Sequence, residues 1–241
     1  MQLRELTPGQ VKSGLKKQQM KIPYAGQNKV DTGDSLIWAN YKKWDVFLRK
    51  NGWKKLGNGS FSAVYGKAGL TYVLKVPFVR DGPWMNYANY CKKNKSNPHV
   101  MKISFIKEES SNHFFIAAIE RLQPFPRIGG RSMAEYAAEV LQQLADRPLA
   151  TVKKKLEIRI KNLHSPTWGN QMPAGPKKQA DWLQTILLPQ LDKLAKVVEY
   201  LGKNGQLDLH DGNIMMRGNT VVIIDPWFDW GEARKTSNVY S

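Results

Sequence analysis

The sequence has few of the features that mark secreted, disulfide-bonded or membrane proteins. Its 241 residues include one cysteine, Cys91, so no internal disulfide can form and a reducing cytosol is expected. No run of about 18 apolar residues occurs, which predicts no membrane span. Met1–Gln10 lack the apolar stretch of a secretory signal. A cytoplasmic protein is therefore expected, with Cys91 as a buried structural thiol in a predicted helix.

Acidic residues are scarce. The chain has 20 Asp and Glu against 37 Lys and Arg, which gives a net charge of +17. This charge attracts polyanions and acidic protein faces. The candidate partners are ATP, acidic or nucleic-acid-associated proteins, and nucleic acid itself, although direct nucleic-acid binding is not favoured. The basic stretch Lys153–Lys161 could dock acidic protein or RNA, but a solvated helix face is the simpler interpretation.

The first half of the chain is predicted to be rich in strands. A polar, basic arm occupies residues 1–33, and a helix with an aromatic core face follows through Leu48. A second helix is predicted for Pro83–Lys95. The predicted strands are Trp53–Leu56, Ala63–Tyr65, Thr71–Pro77, Ile103–Ile106 and Phe114–Glu120.

From Ser132 onward the pattern is helical. Ser132–Ala145 begins with a capping box formed by Ser132 and Glu135. A short helix and a loop rich in Pro and Gly are predicted for residues 151–178, and one long helix for Ala180–Leu201. Two short strands follow, near Ile214–Met216 and Val221–Ile224.

These elements predict an α+β fold. An arm and helix cover residues 1–51, a strand-rich lobe covers 52–121, and a helical lobe covers 122–241.

A glycine-containing turn lies between two of the predicted strands. Gly57, Gly59 and Ser60 belong to the string Gly-Asn-Gly-Ser-Phe-Ser-Ala-Val-Tyr, which ends at Tyr65. Glycine lets backbone N–H groups approach a ligand with no side chain in the way, so such a hairpin can close over phosphates. An ordinary hairpin has the same pattern. Because a strand follows the glycines, the string is not a dinucleotide-binding fingerprint.

Lys75 lies inside an apolar strand, Tyr72–Val76. A buried lysine needs a partner for its charge, and a nucleotide phosphate is one such partner. A lysine that points to solvent from an edge strand is the alternative.

A polar loop runs from Asp208 to Asn213. Phosphoryl transfer needs a carboxylate to orient or deprotonate the attacking hydroxyl, and oxygen ligands for Mg²⁺. Asp208 suits the first role and Asn213, five residues later, suits the second. Asp225 follows the apolar strand Val221–Ile224 and also suits Mg²⁺, although a turn or cap residue fits there too. The order of these elements, with the glycine turn and strand lysine first, is typical of kinases.

With these residues the sequence resembles the protein-kinase superfamily and, more narrowly, the early serine/threonine protein kinases of T7-like bacteriophages. The stretches that carry the resemblance are Gly52–Ala63, Asp208–Met215 and Ile224–Pro226. The resemblance implies a minimal bilobal protein-kinase-like fold, with a strand-rich N-lobe and a helical C-lobe. It also implies ATP- and Mg²⁺-dependent phosphorylation of host proteins on Ser or Thr, and of the chain itself, in the host bacterial cytoplasm.

The resemblance further implies a role for individual residues. Asp208 is the expected catalytic base, and Asn213 and Asp225 are the expected Mg²⁺ ligands. Lys75 is expected to act in catalysis by binding the α- and β-phosphates. The other expected nucleotide-binding residues are Gly57, Gly59 and Ser60 over the phosphates, Val64 and Val73 on adenine, and Glu120 and Leu122 where the lobes join.

The sequence also departs from the kinase pattern. Gln206-Leu207 replaces the usual His-Arg before Asp208, and Pro226-Trp227 replaces Phe-Gly after Asp225. The predicted helix Pro83–Lys95 offers no Glu or Asp to pair with Lys75, and Asp81 is expected to be too close in sequence to substitute. Lys75 is therefore expected to be held by Asp225 and nucleotide, and the activity is expected to be constitutive.

Two other functions fit the same motifs. The Asp-Leu-His-x-Gly-Asn string also resembles aminoglycoside and choline kinases, which phosphorylate small molecules. A non-catalytic pseudokinase that binds and inhibits a host protein is the third hypothesis, because a helix glutamate is missing. For the protein-kinase hypothesis, Thr236, Ser237 and Ser241 are candidate self-phosphorylation sites.

Overall fold

The computed structural model describes residues 33–109, 114–165 and 174–227. The predicted arm, apart from Gly33, lies outside these residues, as do Thr236, Ser237 and Ser241. The helices are α1 (Gly33–Lys50), α2 (Gly82–Lys93), α3 (Met133–Asp146), α4 (Leu149–His164), α5 (Ala174–Trp182) and α6 (Leu191–Asn204). The strands are β1 (Lys54–Asn58), β2 (Ser62–Gly66), β3 (Tyr72–Pro77), β4 (Ile103–Glu109), β5 (Phe114–Glu120), β6 (Arg127–Ile128), β7 (Arg131–Ser132), β8 (Ile214–Arg217) and β9 (Thr220–Ile223).

Five antiparallel strands form one sheet in the order β1-β2-β3-β5-β4. Helix α1 covers one face of this sheet. Its apolar residues recur at helical spacing and are buried, which confirms the predicted aromatic core face. The buried cluster consists of Ile37, Tyr41, Trp44 and Leu48 from α1 with Ala63, Tyr65, Leu74, Val76, Phe105, Phe114, Ile116 and Ala118 from the strands.

The remaining described residues form a helix-rich unit with its own core. In α3, α4 and α6 the buried positions recur every three or four residues, as expected for helices with one apolar face. The Ser132 hydroxyl accepts a hydrogen bond from Ala134 N–H at 3.2 Å and caps α3. The Glu135 carboxylate forms an ion pair with Arg131, with Oε2 3.4 Å from Nε. The α+β prediction, strand-rich first and helical second, is confirmed.

The division between the two units differs from the predicted lobes. One unit contains residues 33–82, 102–109 and 114–121, and the other contains 83–101, 122–165 and 174–227. Residues 83–101 join the second unit because their contacts lie there. The Tyr87 hydroxyl donates to Ile223 O at 2.6 Å, and the Arg217 guanidinium donates to Pro98 O and Val100 O at 2.7 and 3.1 Å.

The prediction of one long helix over Ala180–Leu201 is wrong. The chain passes from α5 through a π-helical turn (Leu183–Leu187) and a 3-10 turn (Leu188–Gln190) before α6 begins. Pro189 explains the interruption, since it has no N–H to donate and its ring clashes with the carbonyl four residues earlier. The predicted short helix is the 16-residue α4.

Cys91 lies in α2 with 1% of its surface exposed, as expected for a structural thiol. None of the described helices has the length and apolarity needed to cross a membrane.

Candidate active site

The predicted glycine turn joins β1 to β2. Gly59 N–H donates to Ser62 O at 3.0 Å, which closes the turn, and Ser60 is exposed at its tip. Neither Gly57 nor Gly59 has a positive φ, and a Cβ on either would meet no atom of the described residues within 4 Å. Packing among the described residues therefore does not require glycine at these two positions, which leaves room for a ligand to approach the backbone.

Lys75 lies in β3, between β2 and β5. In the strand register it faces Val64 of β2 and Ala117 of β5, and residues paired in this way have side chains on the same face of the sheet. Val73, two residues before Lys75, shares that face. The structure therefore brings Val64, Val73 and Lys75 together, on the face opposite α1.

Lys75 is buried, with 4% of its surface exposed, which contradicts the solvent-pointing alternative. Its Nζ lies 3.2 Å from Oδ2 of Asp81, which is 5% exposed. The expectation that Asp81 lies too close in sequence to substitute for a helix glutamate is wrong. The chain turns directly after β3, where Phe78 N–H and Val79 N–H both donate to Phe61 O, and this turn returns Asp81 to the lysine.

Glu120 ties the end of β5 to the start of β4. Its carboxylate accepts a hydrogen bond from Lys102 N–H at 2.7 Å, and its own N–H donates to Lys102 O at 3.0 Å. A contact between Glu120 and adenine, which stays a prediction, would therefore not use this N–H. Leu122 begins the second segment of the second unit and is half-buried.

Asp208 and Asn213 contact each other directly in the second unit. The Asn213 amide nitrogen donates to Asp208 O at 2.8 Å and to Asp208 Oδ2 at 3.1 Å. Because both bonds use the amide nitrogen, the Asn213 Oδ1 atom is left for another ligand. The structure thus brings together the predicted base and one predicted metal ligand.

Backbone hydrogen bonds place Asp225 beside this pair. Ile224 N–H donates to Asn213 O at 2.9 Å, and Asp208 N–H donates to Pro226 O at 2.7 Å. The two residues that flank Asp225 are therefore each tied to one end of the Asp208–Asn213 loop. The antiparallel pair β8–β9 lies between these two segments in sequence and brings them together.

The donors in this region suit Mg²⁺. Mg²⁺ prefers oxygen ligands and commonly takes one or two from the protein, with the rest from phosphates and water. Asn213 Oδ1 and the Asp225 carboxylate are oxygen donors of this kind. Within residues 33–109, 114–165 and 174–227, no three His, Cys, Asp or Glu side chains form a metal-binding group. Mg²⁺ bound at such donors would be expected to take further ligands from nucleotide phosphates and water.

Two further residues, one in each unit, lie beside predicted site residues although neither was predicted to have a role. Asp81 could have been found as the first carboxylate after Lys75 in the chain. His210 lies inside the Asp208–Asn213 loop, and its Nε2 is 3.7 Å from Asp208 Oδ2. Its position two residues after Asp208 is visible in the sequence, but the direction of its ring is not.

Comparison with known proteins identifies the family of the chain. A streptomycin–ATP–APH(2″)-IIa ternary complex is 16% identical, over 83% of this chain and 71% of that chain, with a TM-score of 0.31. A thermostable mutant of aminoglycoside phosphotransferase APH(4)-Ia, in its apo form, is 15% identical, over 78% and 71%, with a TM-score of 0.30. No curated protein matches the sequence. A family model described as Bacteriophage T7 protein kinase 0.7 matches residues 26–234. Since this match spans most of the chain, the chain belongs to the bacteriophage T7 protein kinase 0.7 family.

Proposed function

We propose that this phage kinase is an ATP- and Mg²⁺-dependent protein serine/threonine kinase that acts on host proteins and on itself in the host bacterial cytoplasm. The observation that carries the proposal is the direct contact of Asp208 with Asn213, with Asp225 tied beside them through its neighbours. Phosphoryl transfer requires a carboxylate base close to oxygen atoms that can bind Mg²⁺. The family match supports the same reaction class.

In the proposed reaction, a Ser or Thr hydroxyl attacks the γ-phosphorus of ATP. The bond from that phosphorus to the β,γ-bridging oxygen breaks, and ADP leaves. Asp208 orients the hydroxyl and takes its proton. Asn213 Oδ1 and the Asp225 carboxylate would hold Mg²⁺, which neutralises charge on the phosphates.

Most of the proposed nucleotide-binding groups lie in the five-stranded sheet or in the turns beside it. Lys75 binds the α- and β-phosphates, while Asp81 holds the lysine in place. The turn with Gly57, Gly59 and Ser60 covers the phosphates through its backbone N–H groups. In this proposal Val64 and Val73 pack on adenine, and Glu120 and Leu122 contribute backbone groups to it.

The test is phosphate transfer from Mg·[γ-³²P]ATP to proteins of a host lysate. Asp208→Ala should lower labelling about 10²- to 10⁴-fold, because the base is lost. Asp146→Ala is the matched control, since Asp146 is an exposed aspartate at the end of α3, and it should label like the wild type.

Three outcomes would contradict the proposal. Equal labelling by Asp208→Ala and wild type would exclude the proposed base. ADP release with aminoglycosides or choline, without labelled protein, would identify a small-molecule kinase. If the Asp208→Ala variant still had the effect of the wild type on the host cell, the protein would be a non-catalytic binder.

A further inference from the structure

The ring of His210 is held by the loop that contains Asp208. His210 precedes the short 3-10 turn Asp211–Asn213, and its Nδ1 accepts a hydrogen bond from Gly212 N–H at 3.0 Å. A nitrogen that accepts a hydrogen bond carries no hydrogen, so the hydrogen of the neutral imidazole lies on Nε2. The backbone of the loop therefore selects one tautomer of His210.

The Nε2 atom of this ring faces the carboxylate of Asp208. It lies 3.7 Å from Asp208 Oδ2, the same oxygen that accepts the Asn213 amide at 3.1 Å. Among the described residues a second carboxylate, that of Asp211, is near the ring, and its Oδ1 is 3.6 Å from Nδ1, farther away than the Gly212 nitrogen at 3.0 Å. Two N–H groups, from His210 and Asn213, flank one oxygen of Asp208.

We infer that His210 is a positioning residue that holds Oδ2 of Asp208 together with Asn213, so that Oδ1 receives the proton of the substrate hydroxyl. The inference rests on the proposed function. At 3.7 Å the His210 contact is longer than a hydrogen bond. Contacts of this kind commonly tighten when substrate binds, and a carboxylate with one oxygen fixed presents the other in a defined direction.

Glycine at position 212 is what allows the ring to lie there. A Cβ on Gly212 would be 2.8 Å from His210 Cε1 and 3.1 Å from Nδ1. Distances this short force the ring to move, since real Cβ atoms do not approach so closely. Gly212→Ala should therefore displace the imidazole while leaving every ionisable side chain of the loop in the sequence.

The experiment compares steady-state kinetics with Mg·ATP and casein as the acceptor. His210→Ala should lower kcat about 10- to 100-fold, the cost of a misplaced catalytic group, with the KM for ATP within about twofold. Gly212→Ala should behave in the same way. His210→Gln should recover most of the rate, because its amide supplies both a donor and an acceptor. His164→Ala is the control, since that exposed histidine pairs with Asp181 in α5.

A spectroscopic measurement tests the ring itself. In the ¹⁵N side-chain spectrum, the signals of His210 are those that disappear in the His210→Gln variant. In the wild type these signals should show a hydrogen on Nε2 of His210 and none on Nδ1. Gly212→Ala should change that signal. Circular dichroism of each variant separates a local effect from unfolding.

Several results would overturn the inference. They are a kcat of His210→Ala within twofold of wild type, a raised KM for ATP at unchanged kcat, or hydrogen on Nδ1 of His210. Absence of phosphate transfer by the wild type would instead refute the proposed function. The tautomer of His210 and its response to Gly212→Ala would still be measured in that case.

Discussion

Lys75 Nζ lies 3.2 Å from Asp81 Oδ2, and both side chains are almost fully buried. Removal of one partner from a buried ion pair leaves an uncompensated charge, which costs about 3–5 kcal/mol. Asp81→Asn should therefore lower the free energy of unfolding by about that amount, measured by urea denaturation. It should also reduce phosphate transfer, because Lys75 loses the group that orients it.

The control for this pair replaces both partners. Lys75→Met with Asp81→Leu removes both charges and fills the space with apolar atoms, which is often neutral for stability. This double variant should regain most of the lost stability but no phosphate transfer. An Asp81→Asn variant as stable as the wild type would show that the pair does not hold β3 and the following turn together.

The Lys75–Asp81 pair also illustrates what the sequence could predict. The strands, the buried face of α1 and the Asp208–Asn213 loop follow from local periodicity and motif spacing, and the structure has all of them. The partner of Lys75 could not be predicted from spacing, because it depends on how sharply the chain turns after β3. Pro189 indicates the interruption before α6 in the sequence. The apolar residues around it recur at helical spacing, however, and this spacing favours the prediction of one long helix.

The glycines of the β1–β2 turn should matter for the ligand and not for the fold. A Cβ on Gly57 or Gly59 would meet nothing within 4 Å among the described residues, and neither φ is positive, so alanine at either position should change the unfolding free energy by less than about 0.5 kcal/mol. The same substitutions should weaken ATP binding, measured by calorimetry, because methyl groups obstruct phosphate approach to the backbone.

Gly69 provides the contrasting control for these two glycines. Its φ is +77° with open space around it, so Gly69→Ala strains the backbone and should lower stability by about 1 kcal/mol or more without affecting nucleotide affinity. Unchanged ATP affinity in both Gly57→Ala and Gly59→Ala would argue against a phosphate-covering turn.

Trp227 connects the end of α6 to the segment that leads into Asp208. Its Nε1 donates to Leu201 O at 2.9 Å, and its backbone pairs with Leu207. A Cβ on Gly205 would be 2.9 Å from the indole ring, so Gly205→Ala should displace Trp227. We expect a loss of about 1–3 kcal/mol in stability, as for an overpacked core, and a lower kcat because Leu207 directly precedes Asp208.

Gly202, three residues earlier, is the control for that substitution. It lies inside α6, and a Cβ there would meet Leu207 at an ordinary 3.5 Å. Gly202→Ala should therefore stabilise the protein by about 0.5–1 kcal/mol through the higher helix propensity of alanine, with kcat unchanged. If both variants behaved alike, the ring of Trp227 would not be the cause.

Asp45 should make the free energy of unfolding depend on pH in the acidic range. Burial alone would raise the pKa of this carboxyl, but hydrogen bonds from Tyr65 and Arg49 and the charge of Arg49 lower the pKa below its ordinary value. Burial raises the pKa of Tyr65, so the phenol stays protonated and its O–H donates a hydrogen bond to Asp45. The Asp45–Tyr65 bond joins α1 to β2.

Because the pKa of Asp45 is lower in the folded state than in the unfolded state, its ionised carboxylate stabilises the fold. This stabilisation is fully present at pH values above the unfolded-state pKa of about 3.9. That contribution is lost as the pH falls through the folded value, so urea midpoints of the wild type should drop between about pH 5 and pH 2. Asp45→Asn should be less stable at pH 7, by about 1–3 kcal/mol for a hydrogen bond to a charged group, and its midpoint should depend less on pH in that window. Asp192→Asn is the control, because its exposed pair with Lys153 should contribute little. Equal acid dependence of wild type and Asp45→Asn would mean that other carboxyl groups carry the effect.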